Sequence, residues 1–522
     1  MNLWKKLFKG RYKQSAEAPK EPEHPYYPVP RSLKEKSRIA GDLIGHSQDI
    51  IFRRFTLGFS KKQLIAIYAD GLVSSQLQGE SVFNPIMALK DEGKHSGSDY
   101  EMIKESLIAV GEITEHGDMW EACIRALAGD TVLLIEGTEQ VLSINTRYWP
   151  ERAVEDPVSE VAVRGAKEGF TENLQSNIAQ VRRRLKHPDL TFEALRGGSF
   201  TNTDLAVAYI RGVVNPKFVE EVHRRIRRTT HTDSILESGN IEELIEDNPY
   251  SPFPQIEHTE RPDKAAAQLL EGRVVIFTDT TPLVLMVPTL FWQFIQSTDD
   301  YYERIFGSFL RIMRTIALLF ALFLPSLYVA LTTYHQEMLP FALLVSINAA
   351  REGVPFPAFM EAFFMEVIFE FLREAGIRLP MQIGQAVTIV GALIIGEAAI
   401  MANLVSPAMV IVVAGTGIAS FVIPAFNAAI SLRLLRFVVL ILASALGLFG
   451  IMIAAVVLLT HLVSLRSFGV PYMSPLAPLN LRDLKDVFLR LPKWSHDKRP
   501  HALRTRDTRR QDIGLKPEPG RD

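Results

Sequence analysis

At 522 residues the chain has room for about three domains of ordinary size, so a single compact fold is excluded. Its 57 Lys and Arg against 59 Asp and Glu leave a net charge of −2, which gives no reason to expect nucleic acid as a main partner. The one cysteine, Cys123, excludes an internal disulfide, a Cys-based metal cluster and a small stapled secreted fold.

Charged residues at 22% and apolar residues at 47% are ordinary for a soluble protein, yet mean hydropathy is slightly positive at +0.09, the average of a polar part and a very apolar one. Residues 1–31 form a basic, Pro-rich arm with the composition of disorder, in which Leu3, Trp4, Leu7 and Phe8 offer a small membrane-touching face. The start, MNLWKKLFKGRYK, lacks the apolar core of a cleavable signal, so about 310 polar residues before the first apolar run are expected to stay cytoplasmic.

Beyond the arm, apolar strands alternate with helical segments. LIAIYADGLV, ending at Val73, resembles LAVAYIRGVV, ending at Val214, each a strand running into a glycine turn. AGDTVLLIEGTEQVLSI from Ala128 resembles EGRVVIFTDTTPLVLMV from Glu271, each two strands and a tight turn. Gly71 to Thr138 is 67 residues and Gly212 to Thr280 is 68, so two related α/β subdomains are expected, residues 32–150 and 151–311; chance likeness of short strands is the alternative. The Arg182, Arg183, Arg184 run and the Arg224, Arg225, Arg227, Arg228 cluster each end a helical stretch and read as solvated helix ends, with phosphate or nucleic-acid binding as the other reading. No Walker loop, strand-borne GxGxxG, HExxH or GxSxG occurs, and the 12 histidines show no zinc spacing, so no enzyme, metal or cofactor is expected.

The apolar part begins after Arg314. Thr315 to Tyr334 is uncharged and long enough to span a bilayer despite Pro325. Met338 to Ala350 is too short and reads as re-entrant or interfacial. Leu379 to Gly396 leads past Glu397 into the uncharged stretch Ala398 to Leu432, with Pro407 as the break, and Phe437 to Leu465 forms the last run. Four spans over residues 312–465 put both ends in the cytoplasm. The residues after Arg466, with 12 Lys or Arg against 7 Asp or Glu, agree, as do Arg311 and Arg314. Arg351, Arg373, Arg378, Arg433 and Arg436 fall in connections whose side this arrangement does not fix, and five spans would move the tail, 466–522, outside.

Between the short run and the third span, Glu366, Glu370 and Glu374 recur every four residues while Phe359, Phe363, Val367 and Phe371 do so on another face. That is an amphipathic interfacial helix, its acidic face either simply solvated or forming a vestibule that attracts cations. In the third span Gln385, Thr388, Ala392, Gly396, Ala399 and Asn403 form one small and polar stripe, with Ile395 beside it. Such a stripe either lets helices pack closely or lines a pore once several copies surround an axis. Glu397 is an ionisable group within the apolar region, read as functional or as half of a buried ion pair.

Five segments then add what periodicity cannot. RGAKEGFTENLQSNIAQVRRRL from Arg164, SGNIEELIEDNPYSPFPQIEHTERPDKAAAQLLEGRV from Ser238, PTLFWQFIQSTDDYYERI from Pro288, FEFLREAGIRLP from Phe369 and QAVTIVGALIIGEAAIMANLVSPAMVIVVA from Gln385 resemble the A-subunit family of spore germinant receptors, in the family's order and over residues 33–480. The resemblance implies an inner spore membrane protein of an endospore-forming bacterium that assembles with a transporter-like B subunit and a lipoprotein C subunit. It implies a pentameric, nutrient-gated channel releasing monovalent cations, with ligand recognition placed in the B subunit. A membrane scaffold that recruits other germination proteins without conducting ions is the alternative. The expected fold class is therefore a multi-domain integral membrane protein, an N-terminal α/β region of two related subdomains followed by an α-helical transmembrane domain and a basic tail.

Overall fold

The computed structural model describes residues 26–58, 62–88, 99–106, 112–148, 160, 165–297, 300, 304–378, 394–512 and 515–517. They divide into two units, one of Met1–Asp247, Ile256–Pro288 and Pro492–Asp522, the other of Asn248–Gln255 and Thr289–Leu491.

The first, polar unit holds two antiparallel five-stranded sheets. One has the order β1 (Ile50–Thr56), β2 (Gln63–Ala69), β4 (Thr131–Ile135), β5 (Val141–Ile144), β3 (Ile113–His116). The other has β6 (Leu190–Gly197), β7 (Thr203–Ile210), β9 (Val274–Thr278), β10 (Val284–Val287), β8 (Glu257–Thr259). Registers correspond as well as order: Leu64 pairs with Ile135 as Leu205 pairs with Thr278. The inner strands TVLLI, VLSI, VVIFT and VLMV are buried at every position, so their apolar runs follow from cover on both faces rather than from alternation. β2 and β7 each run into a turn whose glycine, Gly71 or Gly212, has φ of 77° or 76°.

Helix α1 (Leu33–Ile44) and helix α2 (Met119–Leu127) pack on the first sheet, and Asp118 caps α2 by accepting from the Trp120 amide. On the second sheet lie α3 (Leu174–Arg184), α4 (Pro216–Thr229), α5 (Ser238–Ile245) and α6 (Pro262–Leu270). Arg182 corrects the reading of its run as a solvated helix end. It is 1% exposed, donates from Nε and Nη2 to the two Asp49 oxygens at 2.8 and 2.9 Å, and gives Nη2 also to the Leu190 carbonyl at 2.9 Å. This bidentate pair, together with the Gln48 amide donating to Phe192 O at 3.0 Å, joins the two sheets. Arg183 and Arg184 pair with Glu168, and Arg224 and Arg225 with Glu221, so those arginines are engaged by intrachain carboxylates.

The tail also belongs to this unit from Pro492 onward. Leu503 is fully buried, the Arg506 amide donates to Val213 O at 3.0 Å, and Arg499 Nε donates to Leu270 O at 2.8 Å. Its basic side chains are thus partly spent on docking rather than left as a free charged arm.

The second, apolar unit is helical: α7 (Arg304–Thr333, with Pro325 inside), α8 (Phe341–Arg351), α9 (Ala358–Arg378), α10 (Pro407–Phe421), α11 (Phe426–Leu446) and α12 (Leu448–Ser464). Residues 306–333 and 426–446 are long and apolar enough to cross a bilayer; α8, α10 and α12 are apolar but shorter. The run from Phe437 to Leu465 is therefore not one continuous helix. It breaks at Gly447, whose φ of 61° and ψ of −138° suit glycine and where a Cβ would stand 2.7 Å from His335 Cε1. At the start of α7, Arg311 and Arg314 are not free flanking charges but close on Asp300, which is fully buried, at 3.1 and 2.7 Å. Segment 248–255 joins this unit through Tyr472 Oη, which donates to Pro254 O at 2.6 Å, and Ser467 Oγ, which donates to Gln255 O at 2.8 Å.

Candidate functional site

The site is built around the break before α10. Ser406 caps α10, its Oγ accepting from the Met409 amide, and Pro407 takes the first helical position, where its missing N–H costs nothing. Asn403, with φ 51°, makes the preceding turn, a conformation that Asn tolerates better than most residues. Beneath it Glu361 of α9, 1% exposed, accepts from the Ser406 amide at 2.9 Å and pairs with Arg351 Nη2 at 3.2 Å. The break is thus locked to α8 and α9 by one carboxylate. Glu361 stands outside the every-fourth-residue glutamate series, which is why periodicity did not single it out.

The acidic face of α9 differs from a solvated one. Glu366 is fully buried and accepts from Arg436 Nη1 of α11 at 2.5 Å. Glu370 accepts from Arg433 Nη1 at 2.7 Å and lies 3.7 Å from Arg436 Nη2 and 3.8 Å from Arg373 Nη1. Only Glu374 is exposed, pairing with Arg378 at 2.6 Å. The reason is complementarity: α11 presents Arg433 and Arg436 on one stripe three residues apart, opposite carboxylates four apart on α9, and a charge left in an apolar surround without a counter-charge would cost several kcal/mol or so. Arg373 Nη2 donates to Ser420 Oγ at 2.7 Å while its guanidinium lies 4.3 Å from the Phe421 ring centre. The closest helix approach nearby is at Gly417 of α10, where a Cβ would stand 2.4 Å from the Phe369 ring of α9.

Of the small and polar stripe, Gln385, Thr388 and Ala392 lie outside the described residues. Residues 394–401 are helical. Gly396 is buried, facing Val410 at a distance where a Cβ would make an ordinary 3.7 Å contact, and Ala399 is half-buried against the α9 and α10 core. Ile395, Glu397 and Asn403 are exposed, and Glu397 forms no ion pair among the described residues. The structure therefore separates residues of one sequence stripe, Gly396 inward and Asn403 outward. Among the described residues no group of three His, Cys, Asp or Glu side chains is placed to hold a metal ion.

Around these elements the helices of the apolar unit turn large side chains outward, Ile411 at 73%, Ile418 at 66% and Leu434 at 62% exposed, while burying paired charges within. That arrangement, with two helices long and apolar enough to cross a bilayer, suits a membrane-associated protein that also carries an α/β unit. The chain matches the model of the Bacillus/Clostridium GerA spore germination protein family over residues 39–502, and it belongs to that family. It is 45% identical over 478 residues to spore germination protein KA of Bacillus subtilis (strain 168), covering 91% of this chain and 87% of that one. It is 38% identical to spore germination protein GerLA of Bacillus cereus, over 91% of this chain and 96% of that one. An uncharacterized membrane protein of Bacillus subtilis (strain 168), YfkQ, is 44% identical over 91% of both. Among solved structures, the N-terminal domain of the A subunit of the Bacillus megaterium spore germinant receptor GerK3 matches 51% of this chain and 99% of its own, at 33% identity and a TM-score of 0.41.

Proposed function

We propose that the chain is the A subunit of a nutrient germinant receptor and that several copies, a pentamer by the family resemblance, form a nutrient-gated channel releasing monovalent cations. In this reading nutrient binding to the transporter-like B subunit, with the lipoprotein C subunit, tilts a closed-to-open equilibrium. The segment that includes Gln385, Thr388, Ala392, Ile395, Gly396, Glu397, Ala399 and Asn403 opens the path, and the α/β unit holds the ring together.

The observation that carries the reading is Glu397. Its carboxylate is exposed on one copy, within an apolar segment and without a paired cation among the described residues. Facing lipid, such a charge costs roughly 2.5–3.5 kcal/mol, a cost removed where copies turn it toward a water-filled axis. The docked tail supports an even number of crossings: because it packs into the same unit as the N-terminal sheets, both lie on one side of any membrane. That favours an even number of crossings over the five-span arrangement, with the α/β unit and tail cytoplasmic.

The test is cation flux from vesicles holding the A, B and C subunits, with and without candidate nutrients, comparing the parent chain with Ala392→Ser and Glu397→Gln. Nutrient-dependent flux altered by either change supports the channel. An assembled, nutrient-binding complex that passes no cations supports a scaffold that recruits other germination proteins.

A further inference from the structure

We propose that the face shared by α9 and the first half of α11 binds the headgroup of an acidic phospholipid, its phosphate held by Arg373 and Arg433. This rests on the membrane reading above but not on ion conduction. A cavity of about 610 Å³ opens there, lined by the charged side chains of Glu370, Arg373, Glu374, Arg378 and Arg433 and by apolar ones that include Ile430 and Leu434.

Charge is the first argument. Glu366 and Glu370 face Arg373, Arg433 and Arg436, which leaves one positive charge in excess, and the neighbouring Glu374–Arg378 pair cancels itself. Water neutralises such an excess on an open surface, but an apolar surround does not, so the cluster calls for an anion. An unused donor is the second argument. The Arg373 side chain is 8% exposed and lines the cavity, yet its buried Nε has no hydrogen-bond partner. The nearby carboxylate atom Glu370 Oε1 is itself without a hydrogen-bond partner, standing 3.8 Å from Arg373 Nη1, beyond hydrogen-bond reach. A phosphate presents several acceptor oxygens at once, and a guanidinium is the side chain best shaped to meet two of them.

The walls decide for a lipid over a free anion. Leu434 at 62%, Phe426 at 56% and Ile430 at 42% exposure, spaced by four along α11, line the same cavity as an apolar strip, the surface an acyl chain covers.

The probe is phosphatidylglycerol, with phosphatidylcholine as control, carried by the purified full chain and counted by native mass spectrometry. The parent chain is expected to retain phosphatidylglycerol over phosphatidylcholine. Arg373→Gln should lower that retention about tenfold, the loss of one charge-assisted hydrogen bond. Leu434→Trp, which adds bulk to the apolar lining without removing any charge, should lower it as well and keeps the test open if Arg373→Gln does not fold. Equal retention of the two lipids, retention unchanged in both variants, or displacement of the lipid by inorganic phosphate would overturn the proposal. So would a change in oligomer mass in place of lipid loss, which would make this face a contact between copies. Nutrient-triggered flux from vesicles holding the A, B and C subunits, made with the same A-subunit variants, separates the two readings: retained lipid without flux removes the channel and leaves the lipid site, and flux without lipid selectivity does the reverse.

Discussion

Two buried charge clusters, one in each unit, differ in how fully they are paired. In the polar unit Arg182 and Asp49 are a closed pair: two guanidinium nitrogens meet two carboxylate oxygens, Ser47 Oγ accepts at 3.0 Å, and backbone carbonyls take further donors. In the apolar unit Glu366 Oε1, Glu370 Oε1, Arg373 Nε and two Arg436 nitrogens are buried without a hydrogen-bond partner. A completed pair fixes one arrangement of its elements, whereas an incomplete network in a low-dielectric surround is raised in energy and responsive to a ligand or a helix shift. Under the proposed function the first belongs to the scaffold and the second to the part that changes state.

The largest test of that contrast is Arg182→Leu. It strands the Asp49 carboxylate inside the joint between the sheets and should cost about 3–5 kcal/mol, read as a lower unfolding midpoint of the full chain in detergent. Leu503→Ala comes next, at about 2 kcal/mol, because it leaves a cavity where the tail docks; the sign would be faster proteolysis of the tail with the sheets intact. Third is pH. Burial pushes the Glu160 carboxyl up, but the Lys264 ammonium at 2.7 Å and hydrogen bonds from Lys264 and Thr259 outweigh it and hold the group below its ordinary range. A carboxylate depressed on folding stabilises above its ordinary pKa and loses that contribution as pH falls through the folded value, so acid should weaken the polar unit there by about 1 kcal/mol, and Glu160→Gln should flatten the dependence in an acid titration of unfolding. Smallest in stability is the paired change Glu366→Leu with Arg436→Leu. Replacing both members of a buried pair should move the unfolding midpoint by less than about 1 kcal/mol while shifting the nutrient concentration for half-maximal flux. A large stability loss from the pair, or none from Arg182→Leu, would erase the distinction between the units.

Much of this architecture is readable from residues. Runs such as TVLLI and VVIFT announce covered strands, and Ser406 with Pro407 announces a helix start. What escaped is what depends on partners far apart in sequence. Three arginines at the end of α3 look like solvated charge until Asp49, 133 residues earlier, is brought against the first of them. Glutamates spaced by four on α9 look like a wet face until α11 supplies Arg433 and Arg436 from more than 60 residues away. The break at Gly447 was hidden because apolarity continues unchanged across it, and only the backbone angle marks it. The sequence stripe from Gln385 treats Gly396 and Asn403 as sharing a face, but the helix ends at residue 401 and the turn at Asn403 redirects the chain.

The most direct test of the central claim is nutrient-triggered cation flux from vesicles containing the three-subunit complex, with the parent A subunit or Glu397→Gln. The account predicts flux only with nutrient in the parent and a several-fold change in its rate or cation preference in the variant, at equal protein incorporation. Identical flux in the two would remove Glu397 from the path, and no flux from an assembled, nutrient-binding complex would contradict the channel itself.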